Sequence, residues 1–284
     1  MLTCLFWNLK SGRADQESLV AGMAVYHQVD ILVLAESTVD SELLLKELKG
    51  LDTAYDRPEF QHHRFQTYTR FPGGQLSKFD DDDRVSIRRL NLPGKNEILF
   101  ASIHFYDRRN YDRRAPHSKS ISANQTIRQA EIKAGHARTI ISGDFNMNPF
   151  DDGMIDTDVG FGAMMSRELA LRHSDPEVTG AQRFYNPMWS RLGRQTPDPP
   201  GTHYWGNVSD PFNIFWQSID QVLVRPPLFG SFPDEEFRVL TRIPLPGLDT
   251  AELIQNTGKH WKIQVSDHLP IIFKLDPPAE DSDG

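Results

Sequence analysis

Acids, amides and imidazoles recur at the ends of apolar runs in this chain, where side chains from different runs can meet. Asn8 closes Leu-Thr-Cys-Leu-Phe-Trp-Asn, Glu36 follows Asp-Ile-Leu-Val-Leu-Ala, and His104 closes Leu-Phe-Ala-Ser-Ile-His. Asp144 and Asn146 stand in Gly-Asp-Phe-Asn after Thr-Ile-Ile-Ser, Asp220 in Ser-Ile-Asp-Gln-Val-Leu-Val, and Asp267 and His268 in Ser-Asp-His-Leu-Pro. An ionisable group beside a buried strand costs desolvation unless it is paired or bound to a cation, so the repetition asks for a common explanation. Carboxylate and amide oxygens suit a hard divalent cation that keeps several waters, and a histidine oriented by a carboxylate can move a proton near neutral pH. The single cysteine, Cys4, excludes a multi-cysteine zinc centre and any intrachain disulfide.

Taken singly, each residue has a plainer reading. Asn8 could form a turn, Glu36 could cap a helix in Glu-Ser-Thr-Val-Asp, and His104 could be an ordinary satisfied histidine. Asp144-x-Asn146-x-Asn148 begins like a calcium loop, but the glycine and glutamate such a loop needs at its sixth and twelfth positions are Pro149 and Ile155 here.

The elements that must position these residues can be read from hydrophobic pattern. Residues 2–7 and 30–35 are short apolar runs suited to strands buried on both faces. Between them, Gln16–His27 puts Leu19, Met23 and Tyr26 or His27 on one helical face, and Leu43, Leu44 and Leu48 predict a second helix. Arg64–Arg70, Arg84–Leu90 and Glu97–His104 predict strands, whereas Phe71–Asp83, with Pro-Gly-Gly and a run of aspartates, predicts an exposed loop. Ser118–Ala137 is the longest helical pattern, followed by buried strands at Arg138–Ser142 and Ile219–Val224 and a last strand at Ile271–Leu275. Pro197–Gly201, Pro226–Pro233 and Pro244–Gly247 read as loops. No repeat or long linker is present, so residues 1–276 read as a single α/β domain with mixed sheets. Pro277–Gly284 reads as a disordered acidic tail.

In chain order, Asn, Glu, His, Gly-Asp-x-Asn, Ile-Asp-x-x-Leu and Ser-Asp-His-x-Pro resemble the motif series of the endonuclease/exonuclease/phosphatase superfamily. That superfamily includes pancreatic-type deoxyribonuclease, exonuclease III, neutral sphingomyelinases and inositol-polyphosphate 5-phosphatases. The resemblance runs from Phe6 to Phe273 and is most specific in Gly-Asp-Phe-Asn and Ser-Asp-His-Leu-Pro. Gly201-Thr202-His203-Tyr204-Trp205 is similar to the family's aromatic strand upstream of Ile219-Asp220. The resemblance implies a two-sheet β-sandwich flanked by helices, with the site at one rim and Mg²⁺ or Mn²⁺ as cofactor. It implies that Asn8 and Glu36 hold or support the cation, with Asp267 as a second metal contact. Asp144 and Asn146 would orient the attacking water and bind phosphate, and His104 would donate to a nonbridging oxygen. His268, held by Asp220, would be the general base or a transition-state donor.

Two departures narrow the reading. Exonuclease-III-type members carry Asn-x-Asp where Asn8-Leu9-Lys10 has lysine, and the Trp-Cys-Asp-Arg stretch of the 5-phosphatases is absent around Ser218-Ile219-Asp220-Gln221. Bacterial sphingomyelinases are usually secreted, whereas this chain begins with no positive region before its apolar stretch and is expected in a reducing cytoplasm. A nucleic-acid phosphodiester therefore leads, ahead of a small-molecule phosphatase or phosphodiesterase and of an inactive interaction module of the same fold.

Composition leaves these options open. The 284 residues are 38% hydrophobic and 25% charged, an ordinary globular balance, with no apolar run long enough to span a membrane. Asp80–Asp83 and the tail acids Asp276, Glu280, Asp281 and Asp283 account for the whole net charge of −8. The segment after His104 is locally basic: Arg108, Arg109, Arg113, Arg114 and Lys119, interleaved with Tyr106 and Tyr111. Those arginines could hold phosphates while the tyrosines stack on bases, or pair with neighbouring aspartates as a solvated loop. Trp205, Phe212, Phe215 and Trp216 could likewise line a stacking wall or fill core.

Overall fold

The parallel pairing of the first two strands sets the frame of the molecule. In the computed structural model, which describes residues 1–10, 16–106, 114–172, 183–192, 199–207, 209, 214–243, 250–257, 261–263 and 265–280, the apolar runs become β1 (Leu2–Asn8) and β2 (Ile31–Ala35). They lie parallel, in register from Cys4 with Ile31 to Asn8 with Ala35. Parallel neighbours need a crossover, supplied by α1 (Gln16–Tyr26). After α2 (Ser41–Leu51), capped by Asp40, the chain forms β3 (Phe65–Thr69), β4 (Leu76–Asp81), β5 (Val85–Leu90) and β6 (Ile98–His104). Then come α3 (Arg114–Ala134), β7 (Thr139–Asp144), α4 (Asp152–Ile155), β8 (Ala163–Met164), α5 (Arg167–Arg172) and β9 (Phe184–Tyr185). Short strands β10 (His203–Tyr204) and β11 (Trp216–Gln217) pair with each other before β12 (Asp220–Val224) and β13 (Arg238–Val239). Two small hairpins, β14 (Arg242–Ile243) with β15 (Ala251–Glu252) and β16 (Ile254–Asn256) with β17 (Trp261–Ile263), lead to β18 (Ile271–Leu275).

The long strands assemble into two mixed sheets, β13-β18-β1-β2-β3 and β4-β5-β6-β7-β12-β9-β8. Strand periodicity sorts the apolar residues of the second sheet onto its two faces. Ile98, Phe100, Ile140, Val222 and Val224 join β1, β2 and β18 in the core between the sheets. Leu99, Ala101, Ile103, Ile141 and Leu223 pack under Ala123, Ile127 and Ala130 of α3. Val20 and Met23 of α1 and Leu44 and Leu48 of α2 close the first sheet. The result is the expected β-sandwich flanked by helices.

Three expectations are corrected. Phe71–Asp83 is not a loop throughout: a 3₁₀ turn at Gly73–Gln75 leads into β4, where two of the aspartates are neutralised in place. Asp81 pairs with Arg88 at 2.7 Å and Lys78 at 3.1 Å, and Asp83 with Arg64 at 2.8 Å and Arg84 at 3.1 Å. A charged strand at a sheet edge resists pairing with other chains. The long helix begins at Arg114 rather than Ser118, with Pro116 tolerated in its first turn, and it stops before Gly135, whose φ of 75° suits a helix C-cap. Pro277–Glu280 are ordered rather than loose: Asn96 donates to the carbonyls of Pro278 and Ala279, both at 2.8 Å. Among the described residues no helix is long and apolar enough to cross a membrane.

Gly143 is where this packing admits no side chain. A Cβ there would lie 2.1 Å from the Ile103 carbonyl oxygen on the adjacent strand. Gly143→Ala is expected to cost about 2 kcal/mol or more by forcing β6 and β7 apart, read as a lower urea midpoint at unchanged slope.

Candidate active site

Register alone brings the polar residues to one rim. His104 pairs with Asp144 across β6 and β7, Asp144 with Asp220 across β7 and β12, and Asn8 ends β1 beside the residue preceding Glu36. His268 is bridged to His203 just before β18. Backbone strain gathers at the same rim: Lys10, Glu36, Asn146 and Val265 hold φ between 38° and 68°. Non-glycine residues adopt that region at a cost, and such outliers cluster at functional sites.

One half of the site is built on Asp144. Its carboxylate is buried and accepts from the Asn146 backbone (2.8 Å), the Asn146 amide (3.0 Å) and the Asn8 amide (3.0 Å). The Asn8 amide also reaches Glu36 at 3.3 Å, and His104 Nε2 lies 2.8 Å from the same Glu36 oxygen. Asn146 is anchored to the Phe105 carbonyl at 3.1 Å. Burial pushes the Asp144 carboxyl up to about 6, with Asp220 adding to the rise, whereas the His104 hydrogen bond holds Glu36 below the usual carboxylate range.

The other half is built on His268. Its Nδ1 meets Asp220 at 2.9 Å, and its backbone carbonyl accepts from Trp7 Nε1 at 2.9 Å. Ser266 ties this turn to β1 by donating to the Asn8 carbonyl (2.7 Å) while accepting from the His268 backbone (3.1 Å). Thr202 fixes Asp220 by accepting its backbone N–H at 3.1 Å. Burial works against charge on His268, but Asp220, Asp144 and Asp267 overcome it and hold the imidazole up at about 10. Asp267 is ion-paired with Lys10 and lies 3.5 Å from His203 Nε2. Burial opposes its ionisation, yet His203, His268 and Lys10 keep it far below its ordinary value. Burial lowers His203, leaving a neutral ring.

Glu36, His104 and Asp144 offer donor atoms within 4.8 Å of one another. Two carboxylates, one of them buried, bridged only by a neutral amide and an imidazole, fit a hard divalent cation. Asp220 Oδ1, Asp267 Oδ1 and His203 Nδ1 are buried without a hydrogen-bond partner among the described residues, as expected of a pocket completed by a ligand.

The structure thus brings Asn8, Glu36, His104, Asp144, Asn146, Asp220, Asp267 and His268 to one place. Asp267 is met there by Lys10 at Oδ2. Arg108, Arg109 and Arg113, together with Phe212, lie outside the described residues, and Arg114 is described only as the first backbone residue of α3. Trp205 is half-buried and hydrogen-bonds Phe215 through its backbone. The β10–β11 hairpin that carries it begins at His203 and packs Tyr204 in a stack with Phe215 and at a tilt against Trp216. Two residues past His104, the Tyr106 ring has Arg84 3.4 Å over it and Lys119 5.6 Å from its centre. Sequence reasoning passed over Lys10, Arg84, His203 and Ser266 as site residues. Only His203 carried a local signal, two positions before Trp205.

With the geometry in place, the likeness to known proteins is specific in family and broad in activity. The sequence pattern described as the Endonuclease/Exonuclease/phosphatase family matches residues 5–268. No curated protein matches in sequence. Among solved structures, TDP2 from Caenorhabditis elegans aligns with a TM-score of 0.56 at 14% identity, covering 96% of this chain and 74% of that one. The endonuclease domain of TRAS1, a telomere-specific non-LTR retrotransposon, aligns at 0.54 and 13% identity over 97% and 98%. A mannosyl-6-phosphatase of Bacteroides thetaiotaomicron aligns at 0.52 and 15% identity over 97% and 100%. At such identities the likeness concerns the fold.

Proposed function

The chain belongs to the endonuclease/exonuclease/phosphatase family, and on that premise we propose that it is a divalent-metal-dependent phosphodiester hydrolase acting on nucleic acid. The observation that carries the reading is the facing pair of half-sites, Glu36–Asn8–His104–Asp144 and Asp220–His268, which supply a cation-binding cluster, a base and a cationic donor around one opening. Glu36, supported by Asn8 and Asp144, would hold Mg²⁺ or Mn²⁺. When bound, the ion supplies charge neutralisation for an anionic ester that otherwise repels a nucleophile.

The side chains divide the remaining tasks. Asp144, raised to about 6, accepts a proton from the attacking water, which Asn146 helps to orient. His268 is an imidazolium at neutral pH, so it donates from Nε2 to a phosphate oxygen rather than acting as the base. His104 donates to a second oxygen. Asp220 keeps the His268 ring oriented and charged.

Nucleic acid is favoured over a small ester by what flanks the opening. The tyrosine–arginine–lysine platform of Tyr106, Arg84 and Lys119 adjoins the end of β6 that carries His104, and the aromatic hairpin carrying Trp205 is bridged to His268 through His203. By their chemistry Arg108, Arg109, Arg113 and Arg114 are the proposed phosphate contacts, and Trp205 the proposed base-stacking residue. Of the aspartate run, Asp81 and Asp83 are ion-paired, which halves the charge it sets against a polyanion.

The test is cleavage of labelled single-stranded DNA, duplex DNA, RNA and bis-p-nitrophenyl phosphate with Mg²⁺, Mn²⁺ or chelator, by wild type and His268→Ala. Metal- and His268-dependent cutting of a polymer, weakening steeply with salt, is the expected result. Cutting of the small diester alone would move the substrate to the small-molecule class. An absence of metal binding would reduce the protein to a non-catalytic module.

A further inference from the structure

Beside the Glu36 cluster the rim holds a second set of potential metal ligands, His203, Asp267 and His268, whose donor atoms also lie within 4.8 Å of one another. With His268 held as a donor by Asp220, His203 and Asp267 are the members of this set left to ligate a second divalent ion. The two sets also differ in the cations around them. Among the described residues neither Glu36 nor Asp144 pairs with a lysine or arginine, whereas Asp267 Oδ2 is ion-paired with the Lys10 ammonium.

That ion pair is built into the fold. Lys10 sits two residues past Asn8, its backbone N–H held by Asn8 Oδ1 at 3.0 Å and its φ at 38°. A lysine adopts this conformation at a cost, so the turn is over-determined by its surroundings. It carries the ammonium to a carboxylate 257 residues away in sequence. Asp267 Oδ2 also lies 3.5 Å from His203 Nε2, while Oδ1 makes no hydrogen bond and has the His268 ring 3.8 Å away. An ammonium and a divalent cation a few ångströms apart repel strongly in a partly buried site, and only one of them can occupy a given carboxylate oxygen.

We infer that Lys10 is a tethered cation standing in for a second metal ion: the protein holds one divalent cation, on the Glu36 side, and the Lys10 ammonium fills the Asp267 side. Lys10 is then a positioning and charge-balancing residue. It neutralises Asp267 where the substrate's phosphate must approach, and it keeps His203 and Asp267 from acting as ligands. The inference rests on the proposed metal dependence and assigns the number of ions and the residue that limits it.

The experiment is a Mn²⁺ titration of the full chain, with free ion followed by its electron paramagnetic resonance signal. It compares wild type, Lys10→Met, Lys10→Arg and the double variant Lys10→Met/Asp267→Asn, each checked for cooperative unfolding. One ion is expected for wild type and Lys10→Arg, two for Lys10→Met, and one again for the double variant. Two ions in wild type overturn the inference without recourse to any variant. One ion in a folded Lys10→Met overturns it equally, since the ammonium would not be what limits the count. No bound ion in wild type overturns the metal dependence itself, and this inference with it.

Discussion

Replacing Asp144 by asparagine is expected to lower kcat by about 10³-fold or more while the protein still folds. The carboxylate is 1% exposed and takes hydrogen bonds from Asn8 and from both the backbone and side chain of Asn146. An asparagine there has the same shape and keeps an oxygen for the Asn146 backbone N–H, while its N–H₂ group faces the donating amides of Asn8 and Asn146, a mismatch of about 1–3 kcal/mol that lowers stability without abolishing the fold. What is lost is the negative charge that takes the water's proton and helps hold the cation. The stability signature follows from the raised carboxyl. Its folded value of about 6 lies above the ordinary 3.8, so the unfolded chain ionises first. Wild type therefore loses stability from this group as pH rises from about 4 to about 6, at up to about 1.4 kcal/mol per pH unit. Asp144→Asn lacks that loss, so its melting temperature relative to wild type climbs through the same window. Mg²⁺ should raise the wild-type melting temperature at pH 7 by mass action and move that of the variant much less. Activity within tenfold of wild type would remove Asp144 from the reaction.

The legible and illegible parts of this protein divide by sequence separation. β1, β2, β6, β7, β12 and β18 are apolar enough to be read directly, and their ends carry the polar residues of the site. Where a local signal pointed away from the tertiary answer, the reading failed. The aspartates before Arg84 read as a loop because nothing in the local pattern shows that Arg88 neutralises Asp81 and Arg64 neutralises Asp83. Strands of two residues, such as β8 to β11, contain no period to detect. Lys10 is the sharpest case. Beside Asn8 it reads only as a missing carboxylate, and its part in the site exists through one contact with Asp267. The pair Asp220–His268 is already implied by the family resemblance, whereas Glu36–His104 is legible only as two residues. The order of the motifs names the participants, whereas strand register decides which of them touch.

Removing the imidazole by His268→Ala is expected to cost about 10³-fold in kcat, and Asp220→Asn shows why the charge on that ring matters. Burial alone would make His268 neutral, and it is Asp220 at 2.9 Å, with Asp144 and Asp267 behind it, that holds the ring up at about 10. Two pH effects follow in wild type. The rate stays high on the alkaline side until the donor loses its proton. The stability due to this ion pair is fully present below the ordinary 6.5 and is lost as pH rises from there through about 10. Asparagine at 220 keeps a hydrogen-bonding oxygen near Nδ1 but removes the charge, so the ring titrates closer to its ordinary value. The alkaline limb of the pH–rate profile then moves toward neutrality, and the alkaline loss of stability attributable to His268 disappears. At pH 6 the variant should recover a larger share of wild-type kcat than at pH 8, because the ring is still protonated there. A purely structural role for Asp220 predicts instead a uniform loss at every pH. Coincident alkaline limbs for the two proteins, or a His268 ring titrating at the same pH in both by NMR, would show that Asp220 does not set the charge of the donor.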